Sequence, residues 1–440
     1  MRLLSRVSLA IIAFAFLPSC KKQDSNQSTV PDAENYSSKV AVEWMQAFRS
    51  GVQSEGVNSP QASRIYAYAA IGLYQSVMPG MAGYKSLEGQ VSGLNNLPQA
   101  NSFGKLDYTV SANEALYQIY ANIFGTLQTE NVAIMENLHK KYVDDATGKL
   151  AQDVITNSTN FGKMVAAAVI DRANNDNFAA TRTLTYEPPT NTLNASYWTP
   201  TSSVTSPTEP YWGSLKCFAL SSSNACNIPS SVPFSTVPGT PFFMQAYELL
   251  NTVNNISPAQ RDITLWWSDE AGATSTSAGH WVSIAGIVAT QKNIDLGKAA
   301  EMYVLLNMSL ADAFISSWDA KYKLNLLRPV SYIRTYFPGY YNWNSSISTP
   351  PSPEYPSGHA VSSGAAADML TKIFGDVVFT DNANVSLGLA PHTYNSFTEA
   401  ANEAGISGLY GGVQYRDAIV NGLTQGKEVS KALSTKIQLR

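Results

Sequence analysis

Helical periodicity recurs along nearly the whole chain, whereas the alternation typical of strands is hard to find. The stretch PQASRIYAYAAIGLYQSVM begins at Pro60, a residue favoured in the first turn of a helix, and its small residues allow helices to pack closely. Similar patterns predict two helices within 37–79 and further helices at about 109–128, 130–144, 148–174, 242–258, 278–292, 294–320, 357–374 and 412–435. We therefore predict an all-α fold, as one large domain or two intimately packed ones.

The N-terminus has the features of an export signal. Arg2 and Arg6 precede an apolar run at 9–17, which is too short to span a bilayer and is typical of a signal peptide over residues 1–20. Cys20 at its end resembles the lipidated cysteine of a bacterial lipobox, although an ordinary signal with an incidental cysteine is the alternative. Residues 21–35 then predict a polar tether, and 36–440 the helical domain. We expect a lipid-anchored protein of the cell envelope, at the outer membrane or surface in preference to the inner membrane.

Composition limits the partners. Charged residues are 14% of the chain, against roughly 25% in typical soluble proteins, and the net charge is −4. Nucleic acid is therefore not an expected partner, and any anion site must be local. Residues 181–241 are rich in Pro, Ser, Thr and aromatic residues. We predict an ordered irregular excursion, because Trp198, Tyr211 and Trp212 are costly to leave in water.

Besides Cys20, the chain has two cysteines, Cys217 and Cys226, which lie in a loop-like region. In an oxidising compartment a disulfide between them is expected, with two free thiols as the alternative. Nothing in the sequence resembles a zinc ligand set, so no metal site is predicted.

Two stretches predict converging polar groups. In WDAKYKLNLLRP, Lys321 and Arg328 are seven residues apart, and Pro329 predicts that the helix ends near Arg328. The two cations can converge on one anion, or they can be solvated charges at a helix C-terminus.

In YPSGHAVSSGAAADML, Ser357 can cap a helix whose N-terminal N–H groups, that of Gly358 included, favour an anion. His359 is then placed to act as an acid or base, although a plain cap with a packed histidine gives the same pattern. A third stretch, ISGLYGGVQYRD, has the glycine pair Gly411–Gly412, a kind of backbone that can wrap an anion.

In this order and spacing, the three stretches resemble the superfamily of vanadium-dependent haloperoxidases and type 2 phosphatidic acid phosphatases, and most closely its secreted bacterial haloperoxidase-like branch. The resemblance extends from NSPQASRIYAYAAIGLYQ through PYWGSL and AGHWVSIA to the C-terminal tail. It implies two packed four-helix bundles that carry the site. It also implies that Lys321, Arg328, Ser357 and Gly358 bind an oxyanion, vanadate or phosphate, with His359 as the acid–base residue.

The third family motif, S-R-x-x-x-G-x-H, is degenerate here. Ser407 and Gly412 match it, but Gly408 replaces the arginine and Gln414 replaces the histidine. In the family, that histidine is the phosphatase nucleophile or the ligand of vanadium, and a glutamine amide does neither job well. The resemblance therefore implies weak or absent catalysis and makes vanadate a doubtful cofactor.

Three hypotheses follow. The chain is an active phosphatase or haloperoxidase that uses His359 with a substitute ligand, a pseudoenzyme that keeps part of an oxyanion pocket, or a structural or carbohydrate-associated protein. His280 is the histidine that could lie near the pocket, with core or cap roles as the alternative, whereas His139, His392 and Arg416 are not expected to replace the missing groups. Expected partners are a phosphate-like oxyanion or small substrate and a membrane, and relatives often form homodimers.

Overall fold

The computed structural model describes residues 32–189, 194–201, 206–226 and 228–440, and it confirms the all-α class. The predicted signal peptide, Cys20 and most of the tether lie outside the described residues. The helices of the first half are α1 Lys39–Ser54, α2 Ser59–Val77, α3 Tyr108–Ile123, α4 Thr129–Thr147, α5 Gln152–Asn174 and α6 Phe178–Thr181. Those of the second half are α7 Pro241–Asn254, α8 Pro258–Trp266, α9 Thr276–Gln291, α10 Leu296–Leu324, α11 Pro329–Tyr336, α12 Gly358–Phe374, α13 Phe397–Tyr410 and α14 Arg416–Lys436. The strands β1 Phe379–Asp381 and β2 His392–Tyr394 form a small antiparallel hairpin.

Helices α1, α2 and α9 pack against α10, and α3 and α5 pack against α2 and against each other. Asn58 caps α2, where its side chain accepts a 3.0 Å hydrogen bond from the amide of Gln61 and Pro60 occupies the first turn. A Cβ added at Gly72 would lie 2.1 Å from Ile119, so the missing side chain lets α2 and α3 approach. Small residues thus set the helix spacing here, as the sequence predicts.

In the second group of helices, α12 and α14 pack against α10, and α13 packs against α12 and α14. A Cβ at Gly426 would lie 2.1 Å from the carbonyl oxygen of Val361, and one at Gly364 would lie 2.4 Å from that of Leu423. Backbones of α12 and α14 therefore touch. This close contact holds the N-terminal end of α12 beside the start of α14.

The excursion at 181–241 is ordered in its described parts. Trp198 and Trp212 are fully buried, and the hydroxyl of Tyr211 donates to the carbonyl of Thr185. The carbonyl of Thr208 accepts from Trp318 Nε1 at 3.1 Å and from the hydroxyl of Tyr322 at 2.6 Å. These bonds fasten the excursion to the end of α10.

Several boundaries differ from the predictions. The sequence did not predict helices α6, α8, α11 and α13 or the β-hairpin. The predicted tether is too long at its C-terminal end, because Ala33–Asn35 form a 3₁₀ helix that contacts α10, and Ala33 is fully buried. Within the described ranges, no helix is both long enough and apolar enough to cross a bilayer.

Candidate functional site

Lys321 and Arg328 lie together, each with only 1% of its surface exposed. Lys321 is in the last turn of α10, and its Nζ donates to the carbonyl oxygens of Pro353 and Glu354 at 3.0 Å each. Asn325, in the left-handed conformation, ends the helix, so the chain turns before Arg328. The prediction that α10 ends before Arg328 is therefore confirmed.

The guanidinium of Arg328 is held by protein oxygens. Its Nε donates to the carbonyl of Ser352 at 2.7 Å, its Nη2 to the hydroxyl of the same serine at 3.0 Å, and its Nη1 to the carbonyl of Val413 at 3.0 Å. Arg328 and Lys321 thus both donate to residues 352–354. We use "cradle" for Lys321, Arg328 and the helix end at Ser357–His359.

Ser357 caps α12, where its hydroxyl oxygen accepts from the amide of Ala360 at 3.3 Å. A Cβ at Gly358 would lie 2.7 Å from the ring of Trp318 and 3.6 Å from Cε of Lys321. Only glycine therefore allows the helix end to meet α10 at this point. The positive end of α12 thus lies directly beside the two cations.

His359 is the exposed member of the cradle, with 23% of its side chain accessible. Its Nε2 lies 3.2 Å from Oδ2 of the buried Asp269, although the angle of the contact falls short of a hydrogen bond. Asp269 holds a positive φ of 46°, a strained conformation for a residue other than glycine. A buried carboxylate on one nitrogen leaves the other available to a ligand.

His280 lies behind this pair and binds two aspartates. Its Nδ1 is 2.8 Å from Oδ1 of Asp269, and its Nε2 is 2.6 Å from Oδ2 of Asp381. Burial alone would lower the pKa of His280, but the two carboxylates outweigh it and raise the pKa to about 10. Burial raises the pKa of Asp269, but His280 and His359 outweigh it and leave that pKa well below its usual range.

Asp381, His280, Asp269 and His359 therefore form a row in which carboxylates and imidazoles alternate. Trp267 stacks on the ring of His280 with a centroid distance of 4.2 Å, while His359 at the end of the row is partly exposed. Arg49, also buried, lies near both aspartates and donates to the carbonyl of Gly279 at 2.8 Å. Sequence analysis placed His280 near the pocket as one alternative, and the structure places it one carboxylate away from His359.

The glycine turn does not wrap an anion. The amides of Gly411 and Gly412 donate to the carbonyls of Ser407 and Leu409, at 2.8 and 3.1 Å, and so close the end of α13. Gly412 has φ of +79°, which explains the glycine there. The N–H groups of Gly411 and Gly412 are thus already hydrogen-bonded to carbonyls of α13, a helix that the sequence did not predict.

Gln414 points into the cradle, where its side chain is 6% exposed. Its amide is oriented with nitrogen toward Glu354 and oxygen toward Arg328, because only this orientation pairs donors with acceptors. The nitrogen then donates to Glu354 Oε1 at 2.9 Å, and the oxygen accepts from Arg328 Nη1 at 2.7 Å. Gln414 thus joins a cation and a carboxylate of the protein itself.

Glu354 is a residue of this site that the sequence did not reveal, although it directly precedes the stretch YPSGHAVSSGAAADML. It is completely buried, and its Oε1 also accepts from the amide of Tyr415 at 2.8 Å. Burial raises the pKa of Glu354, although Arg328 opposes this, and burial with the neighbouring Arg328 lowers the pKa of Lys321. Asp269 was missed as well, because it is 90 residues from His359 in sequence.

The residues present can hold an oxyanion by hydrogen bonds, but they offer no side chain at the family's ligand position that could bond to vanadium. The hydroxyl of Ser357, the N-terminal amides of α12 and the free nitrogen of His359 remain as donors for anion oxygens. No described imidazole besides His359 lies at the cradle, and the position of the family's ligand holds a neutral amide that is already paired. Among the described residues, no group of three or more His, Cys, Asp or Glu forms a metal-binding cluster.

The remaining predicted residues lie elsewhere. His139 pairs with Glu114 at 2.8 Å, His392 with Glu403 at 2.9 Å, and Arg416 faces outward to Glu248. None of the three replaces Gly408 or Gln414.

Cys217 and Cys226 are free thiols, so the expected disulfide is not formed. Burial raises the pKa of both thiols, that of Cys226 to about 11, which keeps them protonated and unreactive at neutral pH.

Comparison with known proteins agrees with this geometry. Residues 301–439 match a family model described as the second helical-bundle domain of VCPO. A crystal structure of the first bacterial vanadium-dependent iodoperoxidase has 30% sequence identity and a TM-score of 0.85, over 92% of this chain and 98% of that one. Bacterial vanadium-dependent chloroperoxidase, at 13% identity, shares the fold in its holo form (TM-score 0.64, 89% of this chain and 94% of that one) and its apo form (0.67, 92% and 98%). No curated protein matches the sequence.

Proposed function

Because the chain belongs to the family of vanadium-dependent haloperoxidases, we propose that it is an exported, lipid-anchored member that keeps a partial oxyanion cradle and has little or no catalytic turnover. The cradle consists of Lys321, Arg328, Ser357 and Gly358, with His359 as the acid–base group at its edge. Lipid attachment at Cys20 would hold the protein on the cell envelope.

The observation that carries the proposal is the position of Gln414. A nucleophile or a metal ligand needs a lone pair that faces the reaction centre, and an imidazole offers one. The amide of Gln414 is instead hydrogen-bonded to Arg328 and Glu354, at 2.7 and 2.9 Å. The missing arginine at Gly408 removes a further charge, and loss of one oxyanion donor alone costs roughly 10² to 10³ in rate.

The alternative function, an active haloperoxidase or phosphatase, needs a substitute for the lost histidine. His280 is the nearest other imidazole of the described residues, but both of its nitrogens are engaged by carboxylates, at 2.6 and 2.8 Å. Its raised pKa of about 10 also means that it has no free lone pair at neutral pH.

Activity assays of the purified protein test the proposal. We expect iodide and bromide oxidation by peroxide with added vanadate, and hydrolysis of a phosphomonoester, to stay at the background rate of buffer. His359→Ala should then change nothing measurable, like the control His139→Ala on the far bundle. Robust vanadate-dependent oxidation of halide that His359→Ala abolishes and His139→Ala leaves intact would refute the proposal.

A further inference from the structure

Glu354 is an unusual group in a site for anions. Its side chain is completely buried beside two buried cations, and its Oε2 has no hydrogen-bond partner among the described residues. A buried carboxylate costs several kcal/mol unless charges or hydrogen bonds compensate it. Its presence next to a predicted oxyanion cradle therefore needs an electrostatic reason.

The contacts of Glu354 supply that reason. The amide of Gln414 bridges its Oε1 to Nη1 of Arg328, through hydrogen bonds of 2.9 and 2.7 Å. The carbonyl of the same glutamate accepts from Nζ of Lys321 at 3.0 Å. The amide of Tyr415, at the start of α14, holds the carboxylate in place at 2.8 Å.

We propose that Glu354 is the resident counter-anion of the cradle and discriminates against phosphate-like oxyanions. The inference rests on the proposed function in one respect, namely that Lys321 and Arg328 belong to an oxyanion site. When Glu354 is ionised, its negative charge already balances the positive charge that an oxyanion would otherwise neutralise. An incoming dianion would then be repelled by the Glu354 carboxylate inside a buried site. The amide of Gln414 links the two charges, because it donates to the Glu354 carboxylate and accepts from the Arg328 guanidinium.

The test removes the charge and keeps the shape. Glu354→Gln should bind inorganic phosphate at least roughly tenfold more tightly than the wild-type protein at pH 7.5, measured by isothermal titration calorimetry. Glu248→Gln is the matched control, since it changes net charge equally but removes a surface partner of Arg416. Adding Arg328→Met to Glu354→Gln should abolish the gain and so locate the ion at the cradle.

Each outcome decides the inference. Equal phosphate affinity of the wild-type protein and folded Glu354→Gln, or no binding by either, overturns it, and so does an equal gain in Glu248→Gln. If Glu354→Gln folds only when phosphate is present, the ion has replaced the carboxylate and the inference stands, whereas failure to fold with or without phosphate overturns it. Halide or phosphoester turnover by the wild-type protein would refute the proposed function without changing the order of these affinities.

Discussion

Gln414 and Gly408 form a coupled pair of substitutions, because the two residues touch. A Cβ added at Gly408 would lie 3.0 and 3.1 Å from Cγ and Cβ of Gln414. The glutamine therefore occupies space that a longer side chain on α13 would need. The two departures from the family motif therefore lie in direct contact, and they are best reversed together.

We accordingly predict that Gln414→His with Gly408→Arg raises vanadate-dependent halide oxidation roughly tenfold or more above the wild-type rate, because it restores the ligand and one charge. Gly408→Arg alone should give no gain, since the imidazole ligand is still missing, and Gln414→His alone should give a smaller one. Steady-state oxidation of iodide, with circular dichroism to verify folding, measures this. A folded double variant that remains inert would show that residues beyond these two, Glu354 first among them, block the site.

His280 predicts a particular pH dependence of stability. Its pKa is raised from 6.5 to about 10, so the imidazolium stabilises the fold fully below pH 6.5 and this contribution is lost as pH rises toward 10. The groups that face it are Asp269 and Asp381, with Arg49 nearby and His359 across Asp269. The loss should amount to about 3 kcal/mol between pH 7 and pH 9.5, as an order of magnitude.

The variant His280→Gln isolates this term from other titrating groups. Urea unfolding at pH 7 and pH 9.5 should show a steeper loss of stability for the wild-type protein than for His280→Gln, even though the variant is less stable at pH 7. His139→Gln, which removes a histidine paired with Glu114, serves as the control and should keep the wild-type slope. Parallel slopes for wild type and His280→Gln would mean that His280 is not charged in the native state.

Local sequence revealed the cradle but not its balance of charge. Lys321, Arg328, Ser357 and His359 could be located, because the family resemblance singles out these positions among patterns that local spacing leaves open. Glu354 and Asp269 could not, since a glutamate and an aspartate are ordinarily solvated and their burial depends on distant elements. The amide that binds Glu354 comes from Tyr415, 61 residues away.

Among the elements, α10 holds part of the excursion in place, because the carboxylate of its Asp312 binds the backbone at residues 218–220. It accepts the backbone amides of Phe218, Ala219 and Leu220 at 2.7, 2.8 and 2.9 Å, and it is fully buried. Three peptide groups therefore depend on one side chain, and an irregular segment without such a partner would bury unsatisfied donors.

We predict that Asp312→Ala lowers the free energy of unfolding by about 3 kcal/mol, because it leaves these three donors unpaired in the interior. Urea denaturation measures the loss, and limited proteolysis should cut sooner near residues 217–226. Asp144→Ala is the control, since that aspartate forms an exposed pair with Lys140 and should cost under about 0.5 kcal/mol. Equal stability of Asp312→Ala and Asp144→Ala would contradict the role assigned to Asp312.

Long helices with strong apolar periodicity are predicted well, whereas several shorter elements are not. Helices α2, α5, α10 and α12 lie close to their predicted ranges. Helix α13 includes Gly405 and Gly408, and glycine disfavours a helix interior, yet α12 and α14 pack against this helix and stabilise it. The strands β1 and β2 have three residues each, too few for alternation to be recognised.

Considered as a whole, the molecule is built around α10. This helix of 29 residues contacts α2, α12 and α14, and its last turn supplies Lys321. The cradle therefore lies at the end of α10, where groups from 321, 354, 359 and 414 meet. The buried contacts of these groups also stabilise the helices, so the fold does not depend on turnover at the site.

We propose that the whole protein is held at the cell envelope through the segment before residue 32, where Cys20 follows a short apolar run. Stable anchoring by lipid takes more than one acyl chain or an added basic patch, and Lys21 and Lys22 stand next to the cysteine. In a bacterial host, the wild-type chain should therefore sediment with membranes and be released by detergent, whereas Cys20→Ser should be recovered in the soluble fraction. Cys226→Ser, which changes a buried thiol outside the leader, should sediment like the wild-type chain, and a soluble wild-type chain or a membrane-bound Cys20→Ser would rule out the anchor.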